Sequence, residues 1–217
     1  MLEKSSERSR VAINAIRARL TILGFNLAIT TFQINNMRGL GGGTRLDGLE
    51  LALHLGTGTV LLTGVALSIA SMVAFITSSA LDREGTCDHW TLLAGDLLMY
   101  LALAQTVVGF FGPYMHLLEE MSMRTADGEE ALSVIWVGMV VAGSAPWILA
   151  IYVGPIVSLV RSPHDRVTKL LHAAGYLGAL ICISRVWSAA QQIEGGALYR
   201  DGLASAWFSA FVAPLFW

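Results

Sequence analysis

Apolar residues come in long blocks along this chain, and polar residues gather between them. The blocks run over about 11–35, 51–79, 90–118, 132–160 and 167–189. Each meets the roughly 20 residues a helix needs to cross about 30 Å of hydrocarbon. A last stretch, 203–217, is apolar and aromatic but short, which suits an interfacial or re-entrant helix better than a span. The pattern predicts an all-α, polytopic integral membrane helical bundle. It has about five transmembrane helices and a C-terminal membrane-associated helix, in a single transmembrane domain over 1–217.

Composition agrees with the pattern. Of 217 residues, 54% are apolar and 14% are charged, against about 25% charged in a typical soluble domain. The lipid bilayer is therefore the expected surroundings. The net charge of −2 carries no whole-protein basic signal, so no nucleic-acid partner is expected. Cys87 and Cys182 make no zinc or haem-attachment spacing and no disulfide framework.

Placing the charges orients the chain. Lys4, Arg8, Arg10, Arg17 and Arg19 lie in the first 19 residues, and Arg161, Arg166 and Lys169 lie around the connection from the fourth block to the fifth. The connection from the third block to the fourth is acidic, with Glu119, Glu120, Asp127, Glu129 and Glu130 against Arg124. Five spans with a cytoplasmic N-terminus put both basic segments inside, as the positive-inside rule requires. The N-terminal segment lacks the short apolar core and cleavage site of a signal peptide. The expected location is multi-pass, in a bacterial inner membrane. Gly39, Gly41, Gly42 and Gly43 predict a turn-rich outer loop.

The first helix carries the most information. At heptad spacing, Arg10, Asn14, Arg17, Thr21, Gly24, Ala28, Thr31 and Asn35 form one stripe, every member polar or small. Arg19, Asn26, Thr30 and Gln33 cluster on the other side, about 180° away. A helix with two polar sides sits badly in lipid, because each unsatisfied polar group there costs several kcal/mol. Two readings of the stripe compete. Small residues let helices approach closely while Asn and Thr hydrogen-bond across the contact. Alternatively, several copies surround an axis, the stripe lines a pore, and rings of Arg10 and Arg17 favour anions. A third use of the basic segment is to bind anionic headgroups. The expectation is a homo-oligomer, or a partner within a larger membrane complex.

The same stretch resembles a pattern that reads Glu-Arg-Thr, Leu-Ala, Arg-Thr, Leu-Ala, Gly-Phe-Gly. Arg10 and Arg17 fall on its arginines, Ile13 and Leu20 on its leucines, and Gly24-Phe25 on its Gly-Phe. Ser9 stands in place of its glutamate, Val11 and Ala18 of its threonines, Asn14 and Thr21 of its alanines, and Asn26 of its last glycine. The pattern marks a small bacterial membrane domain of unknown function, shared with the vacuolar polyphosphate transporter chaperone. The resemblance covers roughly residues 9–80, and nothing beyond matches. It implies a three-span unit in which the two arginines serve an anion or polyphosphate path.

Ionisable residues inside spans are costly, so each is a candidate site. Asp96 enters the third block about 9 Å deep at 1.5 Å per residue, and His172 lies at a similar depth in the fifth. They are an expected proton-handling, ion-coordinating or structural pair. Glu50, His54, His116 and Arg185 gather toward the outer face as a second polar cluster. His54 and His116 are the two residues placed to ligate a haem, although no metal or other cofactor is expected. Gln105 lies mid-span as interhelical glue, and Pro146 and Gly154-Pro155 mark kinks. There is no P-loop, dinucleotide turn, zinc-protease motif or nucleophile elbow, so nothing nominates an enzyme. The leading expectation is an oligomeric channel or transport component for an anion, with the first-helix stripe along its path. The alternatives are a non-catalytic accessory subunit and a b-type cytochrome.

Overall fold

The computed structural model describes residues 2–37, 54–81, 89–124 and 129–195. They form α1 (Leu2–Asn36), α2 (Leu55–Leu81), α3 (Trp90–Arg124), α4 (Glu129–Ile148), α5 (Gly154–Arg161) and α6 (Arg166–Gly195). Five residues of π-helix, Leu149–Val153, join α4 to α5 as one rod. The glycine-rich loop and the stretch 203–217 lie outside the described residues.

Among the described residues, four segments are long and apolar enough to cross a membrane: Leu55–Leu81, Trp90–Met115, Glu130–Arg161 and Arg166–Glu194. They coincide with the second to fifth apolar blocks. The first block also folds as a helix, but α1 does not join the four, because Arg17, Arg19 and the polar positions after them dilute its apolar run.

The contacts set the direction of each helix. Ser71 of α2 donates to the Gly95 carbonyl of α3 at 2.7 Å, and Gly64 of α2 lies against Gln105 of α3. These two helices therefore run antiparallel. Arg19 meets Asp96 and Thr30 meets Thr106, so α1 runs parallel to α3. Gly143 packs on Phe111 and Gly154 on Tyr100, so the α4–α5 rod runs antiparallel to α3. Tyr176 meets Ile151 and Trp90 meets His172, so α6 runs with α3. α3 is the central helix, touching all the others. Arg17, Arg161, Arg166 and Lys169 consequently share one end of the bundle.

The bundle buries small hydroxyl residues among an apolar core and is apolar outside. Ser68, Ser71 and Thr30 are fully buried, while Leu62, Val73, Val134, Val141, Leu170 and Leu171 are exposed. Water would penalise that arrangement; lipid favours it, since close helix packing there depends on small residues and interhelical hydrogen bonds. Gly95 shows how tight the packing is. A Cβ at Gly95 would lie 2.7 Å from the ring of Phe75, so only glycine lets α2 approach α3 here.

Outside the spans, Asp165 caps α6. It accepts the Val167 N–H at 3.2 Å. The Thr168 side chain first, and then the Thr168 and Val167 N–H groups, hold its carboxyl below the usual aspartate value.

Candidate functional site

The inward face of α1 is fully engaged with its own bundle. Arg19 donates from Nε and Nη2 to the two carboxylate oxygens of Asp96, at 2.5 and 2.8 Å. This two-pronged geometry is the strong form of a charge-assisted bond. The Phe75 ring lies 5.7 Å from the guanidinium carbon and completes the enclosure. A carboxylate and a guanidinium in hydrocarbon would each be costly alone; together, with added hydrogen bonds, they are tolerated.

Farther along α1, Asn26 Nδ2 donates to Ser68 Oγ of α2 at 3.0 Å. The hydroxyls of Thr30 and Thr106 lie 3.0 Å apart, and each also lies near a carbonyl of its own helix, Asn26 at 2.8 Å and Ala102 at 3.1 Å. Each hydroxyl has one proton. One therefore donates back to its own helix while the other donates across. Gln33, one turn on, is buried too.

The outward face is different. Asn14, Arg17, Thr21, Gly24, Ala28, Thr31 and Asn35 are all exposed, and the side chain of Arg10 lies outside the described residues. Thr21 donates to the Arg17 carbonyl at 2.9 Å, within its own helix. A Cβ at Gly24 would meet nothing within 4 Å. No packing among the described residues thus accounts for a glycine that costs a helix about 1 kcal/mol relative to alanine. Phe25 and Phe32, 69% and 63% exposed, flank the stripe on one side.

Asp96 is not paired with His172. Its carboxylate is taken by Arg19, while His172 Nδ1 donates to the Thr168 carbonyl at 2.8 Å and its ring faces Trp90 at 6.0 Å. The reason is geometric. Arg19 enters the bundle at the same level as Asp96 on a helix parallel to α3, and its long side chain spans the gap.

Only part of the expected outer cluster falls among the described residues. Glu50 and the side chain of His116 lie outside the described residues, and Arg185 is exposed on α6. His54 instead faces Glu194, with Nδ1 3.9 Å from Oε1. Glu194 Oε2 accepts the Gly56 N–H at 2.8 Å and so supplies an anion at the start of α2. Glu194 reaches this level because α6 runs on to Gly195, past the predicted end at 189. His54 Nε2 is buried with no hydrogen-bond partner among the described residues. Among those residues, no group of three or more His, Cys, Asp or Glu comes together for a metal ion.

Sequence reasoning missed Ser68, Phe75 and Thr106. Small hydroxyl residues are common in spans, and only their partners single these out. Arg19 and Asp96 did carry a signal, opposite charges at one depth. Compared with protein-family models, with curated proteins and with solved structures, the chain matches none of them.

Proposed function

We propose that this chain is a five-span protein of the bacterial inner membrane, with α1 as an additional span and its N-terminus in the cytoplasm. It assembles with copies of itself through the outward stripe of α1, and the assembled helices form the path of an anion channel or transport component.

One observation carries this reading. Among the described residues, one polar face of α1 is satisfied by its own bundle and the other, from Asn14 to Asn35, is uncovered. In lipid the uncovered face is costly until a second helix or a water-filled path meets it. Gly24 and Ala28 admit a close neighbour, and Phe25 and Phe32 supply apolar contact area beside them. Repeated around an axis, Arg17 makes a cationic ring near the end where Arg161, Arg166 and Lys169 also gather, and such rings favour anions. That concentration of positive charge supports a cytoplasmic assignment for this end. The resemblance of residues 9–80 to the domain shared with the polyphosphate transporter chaperone points to an anion as well.

A second reading is a non-catalytic accessory subunit whose stripe packs dry against another chain. The Thr21 hydroxyl favours it, because its own helix already satisfies that group. Currents through reconstituted bilayers separate the two. Arg17→Glu should shift selectivity from anions toward cations. Unchanged currents contradict the pore, and a protein stable only with another chain supports the accessory reading.

A further inference from the structure

Arg185 sits well inside α6, far from either end of that span. It lies nine residues before Glu194, which is about 13 Å at 1.5 Å per residue. Glu194 accepts the Gly56 N–H at 2.8 Å, so the end of α6 is level with the first turn of α2. The surface of α6 is still apolar two turns beyond Arg185, at the exposed Ile193. An arginine side chain is too short to cover that distance to the headgroups. It also starts the wrong way, because Cα–Cβ bonds in a helix lean toward its N-terminus, here Arg166. Arg185 is exposed and has no ion pair among the described residues. A charge at such depth is costly, and the cost falls only when a partner answers it.

The face around Arg185 admits a close neighbour. Gly175, Gly178, Cys182 and Ala189 lie on the same side of α6, at alternating steps of three and four, and all are exposed. A Cβ at Gly175 or Gly178 would meet nothing within 4 Å, so their own bundle makes no use of their small size. In lipid such residues let two helix backbones approach closely.

The chain has no spare counter-charge to offer. Within the described spans the carboxylates are Asp96, Glu130 and Glu194. Asp96 is held by Arg19, Glu194 is set on the start of α2, and Glu130 lies in the first turn of α4. A second copy therefore brings no available carboxylate to the depth of Arg185 from these residues, and lipid phosphates stay at the surface.

We propose that this face of α6 receives a transmembrane helix of a different protein, and that Arg185 pairs with a carboxylate on that helix. The guanidinium fork matches both oxygens of one carboxylate, the arrangement the chain already builds between Arg19 and Asp96. The glycines let the two backbones close until the pair is shielded from lipid. The contact is separate from the stripe of α1 and stands whether or not that stripe meets a second copy.

The test uses the full chain in lipid vesicles, with Cys87→Ser and Cys182→Ser and a donor dye on Ser133→Cys, exposed near the start of α4. The probes are synthetic leucine–alanine transmembrane peptides with an acceptor dye and a single central Asp, Asn or Lys, and energy transfer reads their association. The chain with Arg185 intact should bind the Asp peptide about tenfold more tightly than the Asn peptide. Arg185→Gln should abolish that preference, and Arg185→Glu should transfer it to the Lys peptide. Because Arg185 is exposed, both variants leave the packing of the bundle intact. Equal binding of the Asp and Asn peptides overturns the proposal, as does a preference that survives Arg185→Gln. The vesicles are made from phosphatidylcholine, with and without phosphatidylglycerol. A preference that disappears when the anionic lipid is present assigns Arg185 to a headgroup and overturns the partner helix.

Discussion

The two polar faces of α1 resemble each other in the sequence and differ in the structure. Each carries an arginine near the start of the helix and a threonine and an amide farther along. On the inward face Asn26, Thr30 and Gln33 are buried and Arg19 is half-buried, and three of the four have named partners on α2 or α3. The outward face, Arg17, Thr21, Thr31 and Asn35, is exposed, with no cover among the described residues. A polar residue in a membrane helix is therefore not in itself a sign of function. What matters is whether the chain satisfies that residue on its own. The inward face belongs to folding, and the outward face is the one we propose to meet a neighbour or a permeating species.

Matched substitutions on the two faces break or sharpen this contrast, and the ion pair should give the largest effect. Asp96→Ala leaves Arg19 buried without its partner and should destabilise the fold by about 3–5 kcal/mol. Arg17→Ala, on the other face, should stay within about 0.5 kcal/mol. Equilibrium unfolding in mixed detergent micelles measures both.

The glycines come next. Gly95→Ala forces a Cβ onto the Phe75 ring and should cost about 1–3 kcal/mol by the same assay. Gly24→Ala meets open space and should stabilise the isolated chain by up to about 1 kcal/mol. The same change should weaken self-association, which fluorescence energy transfer between labelled copies in liposomes would show. Equal destabilisation at both glycines would erase the distinction between the faces.

The smallest effect is expected at the adjacent threonines. Thr30→Val removes a hydroxyl shared with Thr106 and should cost about 1 kcal/mol. Thr31→Val should leave the unfolding of the monomer unchanged and lower only its self-association.

Much of the architecture was legible because the apolar blocks report directly on length and burial in lipid. The sequence placed four long apolar helices where the structure has them, and its mark at Gly154-Pro155 coincides with the π-turn. The two sides of α1 were also visible from spacing alone. Which side turns inward was not, because that depends on partners more than 40 residues away, such as Ser68 for Asn26. Asp96 was recognised as a buried charge, but depth alone assigned it to His172. Arg19 won because its side chain is longer and its guanidinium matches both carboxylate oxygens. Glu194 escaped notice because the periodic apolar pattern fades before α6 ends. The Tyr176–Ile151 bond had no local signal, since a missing proline N–H says that a carbonyl needs a donor and not which donor supplies it.

The central claim is that the outward face of α1 meets a second copy of this chain. Disulfide trapping in native membranes tests it most directly, with Cys87→Ser and Cys182→Ser removing the native thiols. Single cysteines at Ala28→Cys and Thr31→Cys should form covalent dimers on mild oxidation, while Ile69→Cys, exposed on α2, should remain monomeric. Absence of dimers at both α1 positions, with efficient trapping at Ile69→Cys, would contradict the account.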